Sequence, residues 1–323
     1  MAGEPIIAKP LRLKQSTTKV KPFLKWVGGK SQIIDAVTSR MPNEMNNYHE
    51  PFLGGGSVLF ALLDLVSSGE IVVHGEICAY DLNSSLIHVY KNVQKHPQKI
   101  KNQVDTIMKE FNEITGAVIN RKPKNIDEAK TSKESYYFYL RIKYNNIPEK
   151  EKSSITASAL FIILNKTCFR GMFREGPNGF NVPYGNYKSV EVFNQDIFKI
   201  SDAIKGVKFT CCDFDKALEC VEPGDFVYLD PPYAPINENS FVGYTKYGFD
   251  VDQHKKLFKA LSGLKDTPAM FEMSNAETPF VLESFFDTSE YTVRTIECRR
   301  AINSKNPESK ANEVIITNFN ITP

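Results

Sequence analysis

Phe226-Val227-Tyr228-Leu229-Asp230-Pro231-Pro232-Tyr233 is the stretch on which the fold of this chain turns. Four apolar residues rich in aromatic and β-branched side chains read as a fully buried strand. The aspartate ends it, and two consecutive prolines then fix φ and remove two N–H donors, so the backbone turns rigidly and exposes carbonyl oxygens. Working outward, the same pattern appears twice more. Ile71-Val72-Val73 to Ala79-Tyr80 runs into Asp81, and Val207-Lys208-Phe209-Thr210-Cys211 leads to Asp213. Further strands are expected at Ala269–Met273, Tyr291–Cys298 and Val314–Phe319. Short apolar strands alternating with helical segments predict an α/β fold with a mostly parallel sheet covered by helices on both faces. Ligands in such sheets sit beyond the carboxyl ends of the strands, where the three aspartates fall. A lone aspartate there is more simply a helix N-cap; three together point to a site.

Glu50-Pro51-Phe52-Leu53-Gly54-Gly55-Gly56-Ser57 reads as a tight turn between a short strand and a helix. Its glycines let the backbone approach a ligand closely, and the following helix N-terminus favours electronegative groups. The phosphate-binding fingerprint of dinucleotide sites is missing. Asp81 stands where a carboxylate accepts hydrogen bonds from ribose hydroxyls. Together these features suit a nucleoside without a pyrophosphate, a description that S-adenosylmethionine fits. At the other motif, the Asp230 carboxylate and the Pro231 carbonyl can each accept one hydrogen of an aromatic amine, aiming its lone pair at an electrophile, while Tyr233 stacks on the base.

The chain has 323 residues, 41% hydrophobic and 24% charged, room for one large domain or two unequal ones. Its apolar runs, such as Ala159–Leu164, are too short to cross a bilayer. Residues 1–21, with Lys9, Arg12, Lys14 and Lys19, read as a flexible basic tail without the apolar core of a secretory signal. Six cysteines show no paired spacing of the kind that holds zinc, and suit a reducing, cytoplasmic location with no metal. Net charge is +2, unevenly spread: residues 84–200 carry 19 Lys and Arg against 11 Asp and Glu, the footprint expected where phosphates are held. In that stretch the strand–helix alternation gives way to helices, notably over Tyr136–Tyr144 and Ile155–Leu164. Asn165 to Tyr187 is rich in glycine and proline and suits a β-hairpin. This divides the chain into a catalytic domain of residues 22–83 and 201–323, and an inserted, mainly helical domain of residues 84–200.

With these residues in view the chain resembles the Dam-like, or D12, class of DNA adenine methyltransferases. The likeness rests on Phe23-Leu24-Lys25-Trp26-Val27-Gly28-Gly29-Lys30, Glu50 to Ser57, Asp81-Leu82-Asn83, Asp213-Phe214, Asp230 to Tyr233 and Ser274-Asn275, in that order. It implies a Rossmann-like class I methyltransferase sheet, with S-adenosylmethionine as donor and a flipped-out adenine in duplex DNA as acceptor. It assigns the cofactor to Trp26, Lys30, Phe52, Gly54, Gly56, Asp81, Asp213, Phe214 and Asp230, and catalysis to Asp230, Pro231, Pro232 and Tyr233. Phe169, Arg170, Arg174 and Asn181 then fall in the hairpin that reads DNA, where an arginine fork matches guanine and an aromatic ring can wedge into the stack. Arg170 replaces a smaller polar residue common in close relatives, which leaves the recognition sequence open. A monomer acting on one strand at a time is the default expectation, and the sequence leaves open whether a cognate restriction endonuclease accompanies it. Competing readings are a methyltransferase for the DNA cytosine amine, RNA or protein glutamine, an inactive DNA-binding relative, and a nicotinamide-dependent oxidoreductase, which would leave the Pro-Pro-Tyr motif unexplained.

Overall fold

Seven strands form the central sheet: β1 (Tyr48–Glu50), β2 (Ile77–Asp81), β3 (Val207–Cys211), β4 (Phe226–Leu229), β5 (Met270–Ala276), β6 (Thr292–Arg299) and β7 (Lys310–Thr317), in the spatial order β6-β7-β5-β4-β1-β2-β3. The computed structural model describes residues 20–193, 195–234, 249–264, 266–299 and 310–320; most of the basic tail expected over residues 1–21 lies outside them. Strands β1 to β5 are mutually parallel, and β7 runs antiparallel to both its neighbours, β5 and β6. The chain steps outward from β1 to β3, then crosses back to β4 and proceeds the other way. The point of reversal lies between β1 and β4, whose carboxyl ends open on one crevice.

The mixed α/β architecture and mostly parallel sheet expected from the strand pattern are present, with eleven α-helices among the described residues. One expected strand is split. The run from Ile71 to Tyr80 breaks into Val72–Val73, paired with Glu44–Met45, and β2. Gly75 forces the break: its backbone passes so near Asn47 that a Cβ would lie 2.1 Å from the amide oxygen, which accepts a hydrogen bond from Glu76 N at 2.7 Å.

Side chains alternate across the sheet and bury two large cores and a small third one of Cys78, Tyr80 and Ala217. Phe226 and Tyr228 of β4 join a large cluster with Phe23, Tyr48 and Leu59, whereas Val227 and Leu229 face a second with Phe214, Leu257 and Phe271. The glycine turn leads into α1 (Ser57–Ser68). Beyond β2 come α2 (Ser84–Lys95), α3 (Pro97–Glu113), α4 (Lys133–Asn145) and α5 (Ile155–Thr167), and after β4 comes α6 (Val251–Gly263). Asn83 starts α2 by accepting from Leu86 N. Residues of α2 to α5 lie in the same large apolar cluster as the sheet, so the basic segment is packed continuously onto one sheet face. Its hairpin pairs Glu175–Gly176 with Gly179–Phe180. No helix of the described residues is long and apolar enough to cross a membrane.

Candidate active site

Glu50 and Asp81 end β1 and β2 and Asp230 directly follows β4, so the topology brings three carboxyl groups to the crevice. Between β1 and α1 the chain passes through left-handed backbone at Gly54 (φ 50°) and Gly56 (φ 70°), which only glycine adopts readily. Asp81 clamps this turn: Oδ2 accepts from Gly54 N at 2.9 Å and Oδ1 from Asn83 N at 2.8 Å. Burial raises the Asp81 pKa, and these two donors oppose the shift. The Trp26 indole covers the turn so closely that a Cβ on Gly54 would lie 2.9 Å from it. Its other neighbours are Phe173 and Phe161, stacked at 6.0 and 6.5 Å. Trp26 therefore sits between the glycine turn and the start of the hairpin.

Asp230 forms an ion pair with Lys30, whose Nζ lies 2.7 Å from Oδ1; the two side chains are 20% and 5% exposed. Lys30 also donates to the Gly28 carbonyl at 3.0 Å and lies 4.8 Å from the centre of the Tyr233 ring. Burial raises the Asp230 pKa, Lys30 lowers it by charge and hydrogen bond, and Glu313 adds a smaller upward push. Tyr233 donates to Glu313 Oε2 on β7 at 2.7 Å. The prolines differ in their surroundings. His254 Nε2 lies 3.0 Å from the Pro232 carbonyl oxygen, whereas no donor among the described residues is bonded to that of Pro231. Asn275 secures the exit of the turn by accepting from Ala234 N at 3.1 Å, and its own buried amide nitrogen has no partner among the described residues. Beneath the crevice Glu50 is buried and takes a 2.8 Å hydrogen bond from Tyr48. Burial pushes its carboxyl up to about 8, with Asp230 and Asp81 adding to the rise and Tyr48 opposing it.

Asp213 and Phe214 meet the crevice differently. Asp213 caps the helix Phe214–Leu218, accepting from Phe214 N at 2.7 Å, the simpler role an aspartate has after a strand. Phe214 is buried against Phe52, with ring centres 5.7 Å apart, and both rings meet Phe249. In the hairpin, Arg174 and Asn181 are joined across the strands: Arg174 Nε donates to Asn181 Oδ1 at 2.6 Å and Asn181 N to the Arg174 carbonyl at 3.0 Å. Phe169 is 44% exposed, and the Arg170 guanidinium lies 5.2 Å from its ring. Arg170 itself adopts left-handed backbone (φ 55°).

Several connections join residues far apart in sequence: Lys30 with Asp230, Tyr233 with Glu313, His254 with Pro232. Another is Asn165, buried in α5, whose amide accepts from Lys25 N at 2.9 Å and donates to the carbonyls of Lys25 at 2.6 Å and Gly171 at 3.2 Å. The one available signal for it was an amide closing the apolar run Ala159–Leu164, since buried amides need partners.

A mostly parallel sheet with this strand order and a carboxylate-lined crevice at its reversal point is the arrangement in which α/β folds hold their ligands. The profile of the D12 class of N6 adenine-specific DNA methyltransferases matches residues 26–298. The chain is 33% identical over 311 residues to the type II methyltransferase M.MjaIII of Methanocaldococcus jannaschii, covering 93% of this chain and 100% of that one. It is 29% identical over 313 residues to the type II methyltransferase M1.LlaDCHI of Lactococcus lactis subsp. cremoris, covering 95% and 98%. Identity to the DNA adenine methylase of Haemophilus influenzae is 30% over 307 residues, covering 93% and 95%. This chain belongs to the D12 class of N6 adenine-specific DNA methyltransferases. Its substrate is DNA and the methylated base is adenine, which sets aside cytosine, RNA and protein glutamine.

Proposed function

We propose that S-adenosylmethionine is the methyl donor, bound in the crevice between β1 and β4, and that the target adenine is flipped out of duplex DNA to meet it. The convergence of Glu50, Asp81 and Asp230, with Lys30 paired to Asp230, carries this reading. Three carboxyl groups around a glycine turn suit a ligand bearing an ammonium, a sulfonium and ribose hydroxyls. When bound, the cofactor supplies an electrophilic methyl on a positively charged sulfur. Gly54 and Gly56 let the backbone approach it, Asp81 keeps lone pairs for the ribose, and the apolar corner of Phe52 and Phe214 shelters the adenine. Trp26 borders the same space.

The chain's own part in the reaction is positioning. Lys30 pairs with Asp230 and opposes the rise that burial imposes on its carboxyl. The carboxylate and the Pro231 carbonyl each accept one hydrogen of the adenine amine, and the carboxylate stands ready to take the proton the nitrogen sheds. Tyr233, steadied by Glu313, stacks on the base, while His254 and Asn275 keep the turn from shifting. A turn fixed by four separate elements needs little reorganisation during reaction. Flipping is required because a stacked base offers no access to its amine.

Residues 84–200 serve on this reading as the inserted target-recognition domain, with Phe169, Arg170, Arg174 and Asn181 toward DNA. A cognate restriction endonuclease as companion accords with the type II names of two relatives. Tritiated methyl from S-adenosylmethionine should appear in N6-methyladenine after digestion of the duplex. With the site mapped, 2-aminopurine replacing the target adenine should brighten on binding. Label without brightening would refute flipping, and absence of label from this donor would refute the assignment of the cofactor.

A further inference from the structure

Residues 114–125, between α3 and the short helix Ile126–Ala129, make a rigid, basic loop on the helix that supports the hairpin. Its backbone is held at successive points. Ala117 bridges to Ser132, Ser135 Oγ accepts from Asn120 N at 2.7 Å and donates to the Val118 carbonyl at 3.2 Å, and Glu128 accepts from Lys124 N at 2.9 Å. Gly116 passes so near Thr131 that a Cβ would lie 2.3 Å from its carbonyl oxygen. On this fixed frame Arg121, Lys122 and Lys124 are exposed, beside an apolar tip in which Val118 and Ile119 are 73% and 54% exposed. Arg121 meets Glu134 through Nε at 2.8 Å; Lys122 and Lys124 form no ion pair among the described residues. The loop is also continuous with the hairpin. The Phe138 ring is shared by Arg121 at 6.0 Å and Arg141 at 4.5 Å, and Arg141 donates to the Val182 carbonyl of the hairpin at 3.1 Å. The two guanidinium groups are therefore separated by no more than the sum of those ring distances.

We propose that the loop of residues 114–125 is a second DNA-contacting surface, in which Arg121, Lys122 and Lys124 hold backbone phosphates that flank the segment under the hairpin. The inference rests on the reading of the hairpin as the part that faces DNA. A preformed loop presents its cations without an ordering cost at binding, and phosphate contacts of this kind add affinity that is independent of sequence and sensitive to salt.

The test compares the wild type with the triple variant Arg121→Gln, Lys122→Gln, Lys124→Gln on unmethylated duplexes centred on the mapped site, one of about 30 base pairs and one of about 10, over a range of NaCl concentrations. On the long duplex the slope of log K against log salt should flatten by roughly 0.9 for each phosphate that the variant no longer neutralises. The short duplex leaves fewer phosphates beside the loop and should show a smaller difference between wild type and variant. The charge-preserving set Arg121→Lys, Lys122→Arg, Lys124→Arg should restore the slope, which separates phosphate binding from damage to the fold. A wild-type slope on the long duplex overturns the proposal, and so does equal weakening on both duplexes. Arg174→Ala tests the hairpin separately: unchanged affinity together with unchanged base preference there removes the hairpin reading, while the slope measurement still decides the loop.

Discussion

Replacing Glu272 with glutamine isolates a single buried carboxyl in the sheet. Glu272 lies on β5, is fully buried, and neither of its oxygens has a hydrogen-bond partner among the described residues. Burial pushes it from the ordinary value of 4.5 up to about 8, and Arg40 opposes the rise. The folded protein thus binds this proton more tightly than the unfolded chain does. The stabilisation is fully present below pH 4.5 and is lost as pH rises towards 8. The slope is at most about 1.4 kcal/mol per pH unit, which over this interval sets a ceiling of about 5 kcal/mol. Glutamine keeps the shape of the neutral acid and cannot ionise. Urea unfolding should find Glu272→Gln within about 1 kcal/mol of wild type near pH 5 and more stable by several kcal/mol near pH 9. Glu50, also raised to about 8, leaves a residual pH dependence in both proteins, so the difference between them is the quantity to read. If the variant is the less stable protein near pH 9, Glu272 is ionised against Arg40 and the reasoning fails.

Asp230→Ala should abolish methyl transfer while DNA retention in a gel-shift assay stays near wild type; parallel loss of both would contradict the division between catalysis and binding. Lys30→Gln removes the charge that lowers the Asp230 pKa, so the acid limb of the kcat–pH profile should move to higher pH and activity should recover in alkaline buffer. A uniform loss with an unmoved limb would assign Lys30 elsewhere. Arg174→Ala should relax preference at one base of the recognition sequence by about 1 to 3 kcal/mol, measured by competition among variant duplexes. Equal weakening on every duplex would make it a phosphate-binding residue.

Asp81 and Asp230 were legible because a buried parallel strand writes itself as an apolar run and its end as a polar residue, whereas Glu50 closes a strand of three residues too short to mark it. The glycine turn was legible because left-handed backbone restricts residue choice at Gly54 and Gly56. Pairing across the chain was not. Lys30 lies 200 residues from Asp230, and nothing local to either marks the other. Asp213 shows the limit of motif reading, since the same carboxylate that suits a ligand also caps a helix. The run Ile71–Tyr80 looked continuous because β propensity is counted on side chains, whereas the break at Gly75 comes from the close approach of Asn47. The continuity of the basic segment's core with the sheet was equally hidden, because an apolar helix face does not say which neighbour will cover it.

The position of β7 between β5 and β6 has a consequence for how the enzyme comes into being. The tyrosine of the catalytic turn is anchored to Glu313 on that strand. During synthesis, the Lys30 and Asp230 segments can both have left the ribosome while the slot beside β5 is still empty. A growing chain in that state exposes an unpaired strand edge and has no anchor for Tyr233. The anchor of Tyr233 is therefore complete only once β7 has paired between β5 and β6, after the Lys30 and Asp230 segments have been synthesised.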